Sequence, residues 1–193
     1  MCEIRLAVAA AVALLAVLSG CAASGTSTPA FDTPISRAGM ALIAGTEAYE
    51  ADDPEGLRAA SGVLDGLGAR PAEGAPDLVR TWSMRAQALG ASAPPPRGRT
   101  AGPAYRDGVL AAGESADFND MFHAGRAAIV SVAPRGGTAF ILRVHNAQGG
   151  QICAEFAEDG PAECRWTPVW TEQVRIEIVN LSGRRAQYFL LTN

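Results

Sequence analysis

The chain has 193 residues, a formal net charge of −4, 48% hydrophobic residues and only 6% aromatic ones. A mildly acidic chain offers no electrostatic footprint for nucleic acid, so that partner is not expected. All 16 basic residues are Arg, which fits a coding bias better than a mechanism, and the many Ala and Gly residues predict an aliphatic, small-residue core.

Residues 1–20 begin with a short head carrying Arg5, continue with the apolar run Leu6 to Leu18 and end on small residues. That run of about thirteen residues is too short to span a bilayer, which needs roughly 20. A charged head, an apolar stretch and a small-residue cut are the parts of a secretory signal peptide. The four residues at the cut, Leu18-Ser19-Gly20-Cys21, resemble the lipobox of bacterial lipoproteins. The resemblance implies cleavage before Cys21, a diacylglycerol on its sulfur and a further acyl chain on the new amino terminus. Such multiple acylation gives stable membrane anchoring. Ala22 stands where an Asp would signal inner-membrane retention, so the implied address is the outer membrane, facing the periplasm.

Residues 21–33 are rich in Ala, Ser, Gly, Thr and Pro and predict a flexible tether. Residues 34–91 predict a small helical subdomain of three helices. Thr33-Pro34 and Asp53-Pro54 each place a cap before a first-turn Pro. Ile35, Leu42 and Tyr49 form a stripe at heptad spacing, and Leu57, Ala60, Leu64 and Leu67 line the second helix. A third helix from about Asp77 carries Leu78, Trp82, Ala86 and Leu89 and stops at Gly90. Residues 92–104, with Pro94-Pro95-Pro96 and Arg97-Gly98-Arg99, predict a linker.

From 105 to 193 the period changes from helical to alternating. Strands are predicted at Val109-Leu110, Phe118–Phe122, Ala128–Val132, Phe140–His145, Ile152–Phe156, Cys164–Trp166, Val174–Ile178 and Tyr188–Leu191. About eight short strands with regular turn signals indicate an antiparallel β-sandwich or jelly roll, and the whole chain an α+β fold. Cys153 and Cys164, two thiols expected in an oxidising compartment, predict a disulfide pinning neighbouring strands across Asp159-Gly160-Pro161. A zinc site with His123 and His145 would require paired ligands at short spacing, which this chain lacks, so no metal is expected.

Residues 105–193 resemble the pre-peptidase C-terminal (PPC) domain, a β-sandwich appended to secreted bacterial proteases. The matching segments are Asp120-Met121-Phe122-His123-Ala124-Gly125, then Phe140 to Asn146 with Gly149 or Gly150, then Val174 to Asn180 and Tyr188-Phe189-Leu190. The family commonly has an acidic pair before its Leu-rich strand, where this chain has Ala139 and Phe140. The resemblance implies a sandwich used in secretion, substrate or matrix binding, or calcium-dependent behaviour.

Catalytic chemistry is not expected. There is no G-x-S-x-G elbow, and His123 with Ser115 and Asp120 is better read as surface. Asp117, Asp120, Glu155, Glu158, Asp159 and Glu163 lack the oxygen framework of a calcium loop. Trp166 and Trp170 are predicted to share one face of an extended segment, stacking on sugar rings if exposed and closing the sandwich if buried. The expectation is therefore a non-enzymatic, lipid-anchored interaction or accessory module with an envelope protein as partner and no cofactor. The alternative is a module that binds glycan, peptidoglycan or calcium, and a hydrolase ranks behind both.

Overall fold

The fold is given by a computed structural model that describes residues 33–92 and 101–193. The signal segment, Cys21, the tether up to residue 32 and the linker residues 93–100 lie outside the described residues. Three helices come first: α1 (Pro34–Glu50), α2 (Pro54–Gly66) and α3 (Leu78–Ala88). Each begins on the residue the sequence marks. Thr33, Asp53 and Asp77 accept hydrogen bonds from the backbone N–H of Ser36, Glu55 and Arg80 at 3.0, 3.1 and 3.0 Å, satisfying donors that a helix start leaves open.

Nine strands follow or intervene: β1 (Arg70–Pro71), β2 (Ala104–Leu110), β3 (Ser115–Phe122), β4 (Ala128–Pro134), β5 (Phe140–His145), β6 (Gln151–Ala157), β7 (Ala162–Trp166), β8 (Glu172–Asn180) and β9 (Ala186–Thr192). They form one sheet ordered β1-β2-β9-β4-β7 and a second ordered β3-β8-β5-β6. Setting β1 aside, the eight sandwich strands fall as first, eighth, third and sixth opposite second, seventh, fourth and fifth. That is the double Greek key of a jelly roll. β1 was not legible in the sequence, because a two-residue parallel pairing with β2 leaves no periodic signal.

The inner faces of the two sheets enclose one core, in which Val130, Val132, Phe140, Leu142, Val144, Ile176 and Ile178 are all fully buried. A second core lies on the other side of the five-stranded sheet. There Leu42, Leu57, Leu64 and Trp82 of the helices pack with Tyr105, Ala133, Phe189 and Leu191 of the strands. The helices are thus a third layer over the sandwich, sharing a core with it. Two close approaches make this possible. Gly39 brings α1 down until a Cβ at that position would lie 3.0 Å from the Ala133 Cβ, and Gly45 gives its place to the Trp82 ring. Tyr105 ties the layers laterally: its hydroxyl accepts the Leu78 N–H at 3.0 Å, and burial raises its pKa.

The described end of the linker is packed as well. Gly102 donates its N–H to the Gly68 carbonyl at 3.1 Å, and Pro103 accepts from Arg70 at 3.0 Å.

Candidate functional site

Cys153 and Cys164 are joined, with Cα atoms 5.8 Å apart. The bond does not link neighbours within one sheet, as the sequence suggested. β6 and β7 are the edge strands of opposite sheets, because the chain crosses the sandwich at Asp159-Gly160-Pro161. The disulfide therefore staples the two sheets along one open side. Across the opposite side, the Arg106 guanidinium lies 5.0 Å over the Phe118 ring, a cation–π cap. Beneath it Tyr188 is packed 5.4 Å from Phe140, and burial pushes its hydroxyl up to about 12, against a smaller opposing effect of Arg106.

The first turn of α1 is bolted to this stapled edge. Glu163, next to Cys164 on β7, accepts from the hydroxyls of Thr33 and Ser36 through one oxygen. Its other oxygen accepts the Arg165 Nε–H at 2.7 Å. Burial pushes this carboxyl up, yet the Ser36 and Thr33 hydroxyls and Arg165 together hold it below the ordinary carboxylate range. The far end of α1 is held too, where Arg135 pairs with Glu50 and donates to Gln187 at 2.9 Å. Apart from the Glu163–Arg165 pair, these contacts join residues far apart in sequence, so their roles were not legible beforehand.

Among the described residues, two apolar surfaces stand out. One is a groove of about 730 Å³ along the outside of the α1–α2 hairpin, floored by Ala44, Ala48, Gly56 and Ala59 and rimmed by Met40 and Val63. The other is the outer face of the four-stranded sheet, which none of the described helices covers. Its register places Ile141 between Val179 and Phe156. Phe156 is 55% exposed and nearby Leu181 51%. Beside this apolar end lie the pairs Arg143–Glu177 at 3.1 Å and Arg175–Asp117 at 3.0 Å. His145 lies on the same face with its side chain only 13% exposed, and its Nε2 is 3.9 Å from Glu177. Ile152 departs from the expected alternation. A register shift between Val144 and His145 turns it against the core, leaving Ala154 and Phe156 outside.

The tryptophans separate. Trp166 ends β7 and packs inward, its ring 4.9 Å from Phe122. The chain then turns at Pro168, which is buried, and Trp170 stands 74% exposed in the following loop. The two rings therefore do not share a face, and a two-ring stacking platform does not form. His123 is exposed at one end of β3 and Ser115 is at the other, too far apart to act together. Of the carboxylates, Asp117 pairs with Arg175 and Glu163 with α1. Among the described residues, no three His, Cys, Asp or Glu side chains gather as a metal-binding group. No helix of the described residues is long and apolar enough to cross a membrane.

No family model matches the chain, and no curated protein matches it. Solved structures show partial likenesses. The pre-peptidase C-terminal domain of a collagenase from Bacillus anthracis is 12% identical with a TM-score of 0.42, over 46% of this chain and 87% of that one. PliG, a periplasmic inhibitor of g-type lysozyme from Aeromonas hydrophila, is 13% identical with a TM-score of 0.37, over 47% and 84%. A mitogen from Yersinia pseudotuberculosis is 14% identical with a TM-score of 0.37, over 47% and 84%.

Proposed function

We propose that this chain is a lipid-anchored envelope protein that works by binding another envelope protein through the bare face of its jelly roll. Two features support the reading. Leu18-Ser19-Gly20-Cys21 supplies the anchoring sequence. The observation that carries the binding role is the contrast between the sandwich's outer faces: one is sealed by helices, while the other displays Phe156 and Leu181 beside Ile141 and Val179. An apolar cluster rimmed by charge on a rigid sheet is the kind of surface a protein partner covers. The roles of the disulfide and of Glu163 are then to hold that face rigid and to fix the folded part to its tether.

The chain has no Lys, so amine-reactive crosslinkers have no side chain to act on, and a photoreactive residue placed at Phe156 is the suitable probe. In intact cells it should give one dominant adduct with an envelope protein. Recovery alone, or with cell-wall fragments only, would move the reading to glycan or peptidoglycan binding. The anchor is tested separately: Cys21→Ala should release the protein from the membrane fraction or block its maturation, and membrane retention with lipid still attached would contradict it.

A further inference from the structure

The helix layer has an outer side of its own. α1 and α2 form a hairpin so close-packed that a Cβ on Gly56 would lie 2.8 Å from the Ala48 Cβ. Their outward sides leave the groove of about 730 Å³. On α1 it is lined by Arg37, Met40, Ala44 and Glu47, all exposed. These residues repeat at the three- and four-residue steps that keep one helix face together.

The two ends of the groove are opposite in both bulk and charge. Where α1 starts and α2 finishes stand Arg37, Met40 and Val63, with Met40 44% and Val63 39% exposed. At the hairpin turn stand Glu47, Ala48, Asp53 and Gly56. One end is therefore cationic and bulky, the other anionic and small. Ala44 and Ala59 lie between them.

The fold does not use up the charges of this groove. Within residues 34–66, Glu55 pairs with Arg58, Asp52 with Arg85 and Glu50 with Arg135. The charged side chains there that form no ion pair with a described residue are Arg37, Glu47, Asp53 and Asp65, and the first three line the groove. Glu47 acts on Arg135 only as a weaker charge beside its Glu50 partner. Asp53 accepts the Glu55 N–H at 3.1 Å through Oδ1, while its Oδ2 lies beside Gly56 at the groove floor.

An apolar groove alone names no occupant, but this order of charge and bulk does. A partner has to bring small, anionic surface to the first end and bulky, cationic surface to the second. A second copy turned by a two-fold axis at Ala44 brings both. By the helical rise, Met40 and Ala48 lie about 6 Å to either side of Ala44, so each Met40 meets the Ala48–Gly56 floor of the other copy. Arg37, about 10 Å from the axis, comes between Glu47 and Asp53 of the other copy.

We propose that the α1–α2 groove is a self-association surface through which two copies of this chain form a two-fold dimer with a four-helix seam. The small floor lets facing helices approach to about 8 Å, the short end of helix spacing. In such an isologous pairing every contact occurs twice. Gly39 marks the side of α1 that packs on Ala133 and Leu191 of the sheet, and the groove opens away from it. The seam leaves both bare sheet faces uncovered, so the dimer stands or falls separately from any partner bound there.

The test places a photoreactive diazirine amino acid of methionine's size at Met40 of the full chain in intact cells. The expected adduct has twice the mass of the chain and joins residue 40 of one copy to the Ala48–Gly56 stretch of the other. Arg37→Glu, an exposed change, should lower its yield about tenfold, because it sets like charges against each other at both ends of the seam. Glu47→Arg should lower it too. Produced together, with the diazirine in one of them, the two variants should restore the adduct, since each supplies the charge the other lacks; that recovery also shows both to be folded. A native chain that gives no adduct, or that links to a different protein, overturns the dimer. So does an adduct that Arg37→Glu leaves unchanged or that the mixture fails to restore.

Discussion

The two outer faces of the sandwich are built from strands of similar length, yet one is sealed and the other is not. On β9, Tyr188, Phe189, Leu190 and Leu191 are buried in succession, because alternate residues enter the sandwich core and the helix-covered core. On β8, Val174, Ile176 and Ile178 are buried while Arg175 is exposed and Glu177 is half-buried. A strand with period-two alternation has one wet side, and an unbroken apolar run has none. The comparison teaches that the helices are part of the packing of the five-stranded sheet, whereas the four-stranded sheet has a face to spare.

The largest effect should come from breaking the sealed side. Trp82→Ala removes the ring that occupies the space over Gly45 and should cost about 3–5 kcal/mol in denaturant unfolding. A loss well under 1 kcal/mol would mean that the helices do not share a core with the sheet. Next is the staple. Replacing Cys153 and Cys164 together by Ser should cost about 3 kcal/mol on a chain-entropy basis. The amide protons of β6 and β7 should then exchange fastest, because the bond holds the open side common to both faces.

Glu163→Gln sharpens the comparison at the seam between helix layer and sandwich. It weakens charge-assisted bonds to Thr33, Ser36 and Arg165 and should cost roughly 1–2 kcal/mol. The pH dependence has a definite sign. The folded carboxyl lies below its unfolded value, so its stabilisation is complete above the unfolded value of about 4.3 and fades as pH falls through the lower folded value. The native protein should lose stability over that acid range faster than Glu163→Gln, and equal slopes would deny the linkage.

Much of this was legible in the sequence. Cap-and-Pro pairs at Thr33-Pro34 and Asp53-Pro54 mark the helix starts, and alternation marks the sandwich strands. What escaped was the arrangement between elements. Reading 34–91 as a helical subdomain took no account of Tyr188–Leu191 and Ala128–Ala133, runs that are apolar on both sides but for Ser131 and so already call for a covering layer. The Trp166–Trp170 spacing misled because Pro168 ends the strand between them, and Ile152 misled because a bulge does not show in a two-residue period. The link from Glu163 to α1 could not be found from local pattern, since Thr33 and Ser36 lie well over a hundred residues away.

The most direct test concerns the bare face and carries the smallest expected effect on stability. Phe156→Asp with Leu181→Asp changes two exposed side chains, so the unfolding free energy should change by no more than about 0.5 kcal/mol. Co-purification of the envelope partner from gently solubilised membranes should nevertheless be lost. A partner that stays bound to this folded double variant would contradict the account and place the interaction elsewhere on the molecule.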